Sequence, residues 1–142
     1  MVVSQLEFAY LAGLLDGEGH IAVHHNLMKD AYYAVVHIAN TDYRVVDWLS
    51  HRFDVRVYEK KASQKLNHRT GYLIHFRQYQ MLEILEGVQP FIVIKEEQVC
   101  LTIKFLQIHR TNKRKVSLRL AKYVEFSEIY KQFQHLNTRG YQ

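Results

Sequence analysis

The chain has 142 residues, of which 48% are hydrophobic and one is proline. That length and composition argue against an intrinsically disordered chain and predict a single domain over 1–142 with its own hydrophobic core. Nineteen Lys and Arg against fourteen Asp and Glu leave a net charge of +5. This charge favours a nucleic-acid partner, although many basic proteins bind none.

Two features concern location. The N-terminal apolar stretch is interrupted by Glu7 and Asp16 and lacks a preceding basic segment, so we expect neither a signal peptide nor a membrane span. Cys100 is the single cysteine, which excludes an internal disulfide. We therefore expect an intracellular protein in a reducing compartment, the cytoplasm or an organelle matrix, with Cys100 as a buried thiol.

The first predicted element is a helix that begins at Ser4, because Ser4 and Glu7 have the spacing of a capping box. The segment is apolar on nearly every side up to Leu15, which predicts packing on two faces. One face comprises Phe8, Leu11, Ala12 and Leu15, and the other comprises Leu6, Tyr10, Gly13, Leu14 and Gly17. Gly13 and Gly17 are four residues apart and permit close approach of another backbone, either in a second subunit or in the core of the same chain.

Two acids, Asp16 and Glu18, lie where this helix must end. A carboxylate is unfavourable at a helix C-terminus by a few tenths to about 1 kcal/mol, because the free carbonyl groups there carry negative charge. A hard divalent cation bound to carboxylate and carbonyl oxygens would offset this cost. The alternative is that both acids are simply solvated and that Gly17 and Gly19 end the helix.

The next segments predict two antiparallel hairpins separated by a helix. The residues of 20–27 alternate between apolar and polar, and 31–40 follow after a short turn at 28–30. A helix is predicted over 42–53, followed by strands at 55–60 and 71–77 joined by a basic loop. Three further helices are predicted, over 79–86, 95–109 and 117–136, with the first ended by Gly87 and Pro90 and a basic loop over 111–116.

One face of the predicted four-stranded sheet is polar, aromatic and basic. It comprises His20, His24, Asn26, Tyr33, His37, Arg56, Tyr58, Lys60, Arg69, His75 and Arg77. A β-ribbon fits the major groove of DNA, where side chains of this kind can donate to phosphates and base edges. An ordinary solvated face of a basic protein is the alternative.

Histidine spacing does not predict a zinc site. His24 and His25 are adjacent in a strand and point to opposite faces, and no Cys or Glu completes a tetrahedral set with His20.

The stretch 11–19, LAGLLDGEG, closely resembles the motif of the LAGLIDADG homing endonucleases, with Glu in place of Asp at its eighth position. The predicted αββαββα order is similar to the core of that family over nearly the whole chain. The resemblance implies an α+β fold in which a saddle-shaped, four-stranded antiparallel sheet packs on helices, with additional C-terminal helices. A single motif copy resembles the branch whose members act as homodimers, and it implies that Leu6, Tyr10, Gly13, Leu14 and Gly17 form the two-fold interface.

The resemblance also implies the catalytic residues. Glu18 and the carbonyl of Gly17 would bind the catalytic metal, Mg²⁺, with Mn²⁺ as a substitute and Ca²⁺ supporting binding without cleavage. Asn40 would order the attacking solvent, although the family usually has Gln there, and Arg44 and Lys95 would offset charge on the phosphate in the transition state. Asp16 is expected to support the helix end or the dimer contact. From the residues alone, Asn40 is equally a helix cap, Arg44 a solvated side chain and Lys95 the start of a helix.

The function that the resemblance implies is metal-dependent cleavage of both strands of a long, pseudo-palindromic DNA target, usually encoded in a mobile intron. The loop residues Lys113, Arg114 and Lys115 would contact phosphates. The alternative is a non-catalytic nucleic-acid binder, either an RNA maturase that assists intron splicing or a transcription regulator. The presence of Glu18 and Lys95 favours cleavage, since a pure binder has no need of them.

Overall fold

The computed structural model describes residues 2–61, 69–110 and 116–139, without the side chains of 116–121 and 137–139. Five helices and four strands follow one another in the predicted order. They are α1 (Gln5–Glu18), β1 (Gly19–Asn26), β2 (Ala31–Asn40), α2 (Tyr43–Arg52), β3 (Val55–Lys60), β4 (Gly71–Phe76), α3 (Gln78–Val88), α4 (Glu96–Arg110) and α5 (Val116–Arg139).

Local sequence explains where these helices begin. Ser4 caps α1, because its side chain accepts a hydrogen bond from the backbone N–H of Glu7 at 3.2 Å. Asp42 caps α2 by accepting from the backbone N–H of Arg44 at 2.9 Å. A helix over 42–53 was predicted, and Asp42 and Phe53 are its two capping residues.

The four strands form one antiparallel sheet in the order β1-β2-β4-β3. Helices α1, α3, α4 and α5 contact the sheet or one another on one side of it, and α2 contacts β2, β3 and β4. The predicted α+β fold, with a four-stranded antiparallel sheet packed on helices, is confirmed. The core between these layers includes the fully buried side chains of Leu11, Leu15, Val23, Val36, Ile38, Leu49, Ile74, Ile84, Leu85 and Phe105.

Two sequence-based predictions are wrong. Helix α3 does not end at Gly87 but continues to Val88, and a short 3₁₀ turn follows at Gln89–Phe91. Gly87 is required for packing instead, since a Cβ there would lie 2.3 Å from the ring of Phe8. Cys100 is exposed rather than buried: it lines a cleft between α4 and α5, and the side-chain amide of Gln89 donates to its sulfur at 3.4 Å.

Within the described residues, no helix has the length and apolar character that crossing a bilayer requires. The predicted basic loop residues Lys113, Arg114 and Lys115 lie outside the described residues.

Candidate active site and nucleic-acid interface

The first acid at the end of α1, Asp16, is engaged by the loop that precedes α4. Its carboxylate oxygens accept from the backbone N–H groups of Val93, Ile94 and Lys95 at 2.8, 3.1 and 3.0 Å. These bonds supply part of the capping that free N–H groups at a helix start require. Through these hydrogen bonds Asp16 ties the end of α1 to the start of α4. This is a structural role at the helix end, one of the two roles that were predicted for it.

Lys95 belongs to the same junction. Its Nζ donates to the main-chain carbonyl of Asp16 at 2.7 Å, so a cation lies against the negative end of α1. Burial lowers the pKa of Lys95, whereas the charge of Asp16 opposes that shift. Lys95 immediately precedes α4, as the helix-start alternative expects, and it also places its ammonium group at the end of α1.

The second acid, Glu18, is exposed at the last position of α1. One of its oxygens, Oε2, accepts a hydrogen bond from Nδ2 of Asn40, the last residue of β2. The side-chain carbonyl of Asn40 in turn accepts from the backbone N–H of Asp42 at 2.8 Å, which orients the amide so that its N–H groups face Glu18. The end of β2 therefore positions this carboxylate.

Arg44 extends from the first turn of α2 into solvent. Its guanidinium forms a salt bridge with Asp42, with Nη2 and Oδ2 2.6 Å apart, while its side chain remains 91% exposed. This contact lowers the pKa of the Asp42 carboxyl to about 2. The pair is open to solvent and to screening by salt, so the guanidinium can exchange Asp42 for another anion.

The residues at the end of α1 offer the oxygen ligands that Mg²⁺ prefers. The carbonyl of Gly17 is in the last helical turn and has no partner further along the helix, and Glu18 adds an exposed carboxylate. Mg²⁺ commonly uses one or two carboxylates with several waters and substrate phosphates, so this small set fits it. Among the described residues, no three His, Cys, Asp or Glu side chains form a metal-binding group. A cleft of about 520 Å³ beside Glu18 is also lined by Asn40, Tyr58, Lys60 and Tyr72.

The strand register places the predicted polar residues on one face of the sheet. His20 is opposite His37, His37 is opposite His75, and His75 is opposite Arg56. His24 is opposite Tyr33, and by strand alternation the same face carries Asn26, Tyr58 and Lys60. Exposed Arg69 lies just before β4. Arg77 lies just after β4 and contacts Asp54 at 3.4 Å, and Asn26 accepts from the backbone of the following turn, so these two side chains are partly engaged within the chain.

Four histidines on this face form what we call the histidine row: His24, His20, His37 and His75. The ring centroids of consecutive members are 5.4, 4.9 and 4.9 Å apart, and the Nε2 atoms of His20 and His24 form a hydrogen bond of 3.2 Å. Burial lowers the pKa of all four imidazoles, and that of His37 to about 4 with a contribution from its histidine neighbours. His25 points to the other face and stacks on Tyr32, as the alternation predicted.

The two faces of α1 differ as predicted. Leu11, Ala12 and Leu15 are buried in the core, whereas Leu6 is 84% and Tyr10 50% exposed. Leu14 packs in part against the core and Tyr10 against the edge of Trp48. A Cβ built at Gly13 or Gly17 meets no described atom within 4 Å, which excludes packing of these glycines in the core described here. Val93 and Ile94, held by Asp16, are also exposed.

Solved structures with a similar fold are homing endonucleases bound to DNA. I-CvuI, in complex with a DNA target, is similar with a TM-score of 0.66 and 18% identity over 88% of this chain and 80% of that one. The archaeal intron-encoded I-Vdi141I gives 0.65 and 14% over 89% and 83%. The group I intron-encoded I-CeuI gives 0.65 and 16% over 93% and 68%. No protein-family model and no curated protein matches the sequence. At these identities, the similarity establishes that the chain has the fold of homing endonucleases.

Proposed function

We propose that the protein is a site-specific, divalent-metal-dependent DNA endonuclease of the LAGLIDADG type that acts as a homodimer. The observation that carries this proposal is the exposed Glu18 carboxylate at the end of α1, oriented by Asn40 beside a helix end that also holds the Lys95 ammonium. A fold shared with DNA-bound homing endonucleases supports it.

The exposed face of α1 supports a symmetric dimer. Its apolar side chains are exposed to water, which is unfavourable for a patch of this kind. Its two glycines carry no side chain, so the backbone of a second α1 can approach closely. Because a two-fold interface pairs the same patch on both copies, it would bring the two ends of α1 together. The two Glu18 carboxylates would then lie near the dyad, where one cut could be made in each DNA strand.

Glu18 and the Gly17 carbonyl would hold the metal ion, and an Mg²⁺ ion there supplies activated water and polarises the phosphate. I-CvuI has been solved with DNA in the presence of Mg and of Ca. Asn40 would keep the Glu18 carboxylate oriented for this task. A primary amide has two N–H donors, so the second can still order solvent, as the sequence predicts.

Two cations would stabilise the negative charge that develops on the phosphate. Lys95 is anchored by the Asp16 carbonyl at the end of α1, close enough to His20 to lower the pKa of that imidazole. Arg44 is exposed, and its salt bridge with Asp42 is open to solvent. A preorganised cation such as Lys95 acts most strongly where charge appears in the transition state, whereas Arg44 would have to move to the phosphate from Asp42.

Selection from a random duplex library tests the proposal. In Mg²⁺ the purified protein should cut a narrow set of pseudo-palindromic duplexes in both strands, and in Ca²⁺ it should bind the same set without cutting. A protein that binds selected duplexes but cuts none with Mg²⁺ or Mn²⁺ would instead be a regulator, and one that prefers RNA would be a maturase.

A further inference from the structure

The histidine row crosses the sheet from one edge strand toward the other. Neighbouring strands are about 4.8 Å apart, so the outer strands of a four-stranded sheet are separated by about 14 Å. The major groove of B-DNA is about 12 Å wide. If the sheet occupies that groove, His37 on β2 and His75 on β4, the two inner strands, lie over the base edges. Arg56 on the edge strand β3 would then lie toward the phosphate backbone that borders the groove.

The centre and the edge of this face differ in charge. His37 and His75 have a pKa below the usual value because burial disfavours the imidazolium form, so both are neutral near pH 7. Arg56 and Lys60 on β3 are exposed cations. Neutral imidazole offers one donor and one acceptor, which suits hydrogen bonding to a base edge. It adds little to the charge-dependent attraction to phosphates.

His37 has one nitrogen directed inward and one available for a ligand. Its Nδ1 is buried without a hydrogen-bond partner among the described residues. Nε2 is therefore the nitrogen that can meet a base, and no partner at Nδ1 fixes which nitrogen carries the proton. His37 can accordingly act either as donor or as acceptor.

The position of His37 along β2 sets its distance from the site of cleavage. His37 precedes Asn40 by three residues in the strand, and Asn40 contacts Glu18. Three strand residues span about 10 Å, which corresponds to about three base pairs at roughly 3.4 Å each.

We propose that His37 and His75 form the pair of side chains that selects base identity about three base pairs from the cleaved bond, with the neighbouring Arg56 supplying affinity rather than selectivity. This inference rests on the proposed function, since it requires DNA in contact with the sheet.

The test compares His37→Gln and His75→Gln with Arg56→Gln, a control on the same face of the sheet and opposite His75. Duplex binding is measured in Ca²⁺, so that cleavage is not required, with selected targets and variants carrying each base pair at the positions two to four from the cut. Each histidine variant should change the preference among base pairs there by about fivefold or more, as expected when a specific base contact is lost. The slope of log affinity against log salt should remain that of the wild type.

Arg56→Gln should weaken binding to all duplexes and reduce the salt slope by about one. Circular dichroism melts identify a variant that does not fold; His75 is the less buried of the pair, so His75→Gln decides the question if His37→Gln does not fold. Unchanged base preference in a folded histidine variant, or a salt slope that falls as for Arg56→Gln, would overturn the inference. If the wild type binds selected duplexes without cutting them, the endonuclease proposal fails, and this inference is then decided by varying every base pair of the selected duplex instead of those two to four from the cut. If it binds no duplex, both fail.

Discussion

The two acids at the end of α1 are two residues apart and have opposite surroundings. Asp16 accepts three backbone hydrogen bonds from the loop before α4, whereas Glu18 is exposed and receives a single described hydrogen bond, from Asn40. Since both carboxylates are unfavourable at a helix C-terminus, each needs compensation. Asp16 finds it within the fold, and Glu18 is left available for a cation. Asp16 therefore has a structural role, and Glu18 is the candidate catalytic carboxylate.

The comparison predicts first that Glu18→Gln removes activity without removing the fold. The amide keeps the shape of the side chain but lacks the negative charge that holds Mg²⁺. We expect DNA cleavage to fall by about 10³-fold or more, with target binding in Ca²⁺ reduced far less and the melting temperature unchanged. Cleavage assays under single-turnover conditions check this, and a variant that cuts at the wild-type rate would remove Glu18 from the mechanism.

Replacing a glycine by a larger residue should have different effects on the two sides of α1: loss of the dimer on the exposed side and loss of protomer stability on the core side. Gly13→Val should leave the protomer folded, because no described atom lies near the added group, but it should block close approach of a second helix. Sedimentation velocity should then detect monomers. Gly87→Val is the matched control, since its side chain would overlap the Phe8 ring and should destabilise the protomer itself. A Gly13→Val protein that remains dimeric would place the interface elsewhere.

Asp16→Ala tests the structural role of the first acid. It leaves three N–H groups at the start of α4 without their acceptor, and these groups are partly solvated, so we expect a loss of about 2 kcal/mol in the free energy of unfolding. Denaturation with urea measures this, with Arg44→Gln as an exposed control expected to change stability far less than Asp16→Ala does. Unchanged stability of Asp16→Ala would contradict a structural role.

The histidine row predicts a pH dependence of stability. The pKa of His37 is about 4 in the folded protein, against an ordinary value of 6.5, so between these values the unfolded chain binds more protons. Stability should therefore fall as the pH is lowered from about 6.5 toward about 4. Thermal melts across that window should show a smaller decrease in His37→Gln than in the wild type. An equal decrease in both proteins would show that other groups cause it.

Local sequence was sufficient for most of the fold. The cap at Ser4, the strand β1 and the cap at Asp42 each depend on residues close in sequence, and the structure contains all three. The prediction that α3 ends at Gly87 is wrong because the glycine serves packing there: the ring of Phe8 occupies the space that a side chain would need. Such a contact joins residues far apart in the chain and leaves no local signal.

The candidate site was only partly predictable for the same reason. The motif identified Glu18, but the bonds from the 93–95 loop to Asp16 span nearly eighty residues, as their separations of 77 to 79 show. The sequence predicted that His20, His37 and His75 share a face. It did not predict the contact between His37 and His75, because that depends on β4 rather than β3 lying beside β2. Three histidines at alternating positions of separate strands were the available signal.

The most direct test of the central claim is a crystal structure of the protein with its selected DNA target and Mn²⁺, in which anomalous scattering locates the metal. We predict manganese within coordination distance of Glu18 in each protomer, with the two Glu18 side chains close to one dyad and beside the two scissile phosphates. Metal bound elsewhere, or Glu18 side chains that face away from each other, would contradict the proposal.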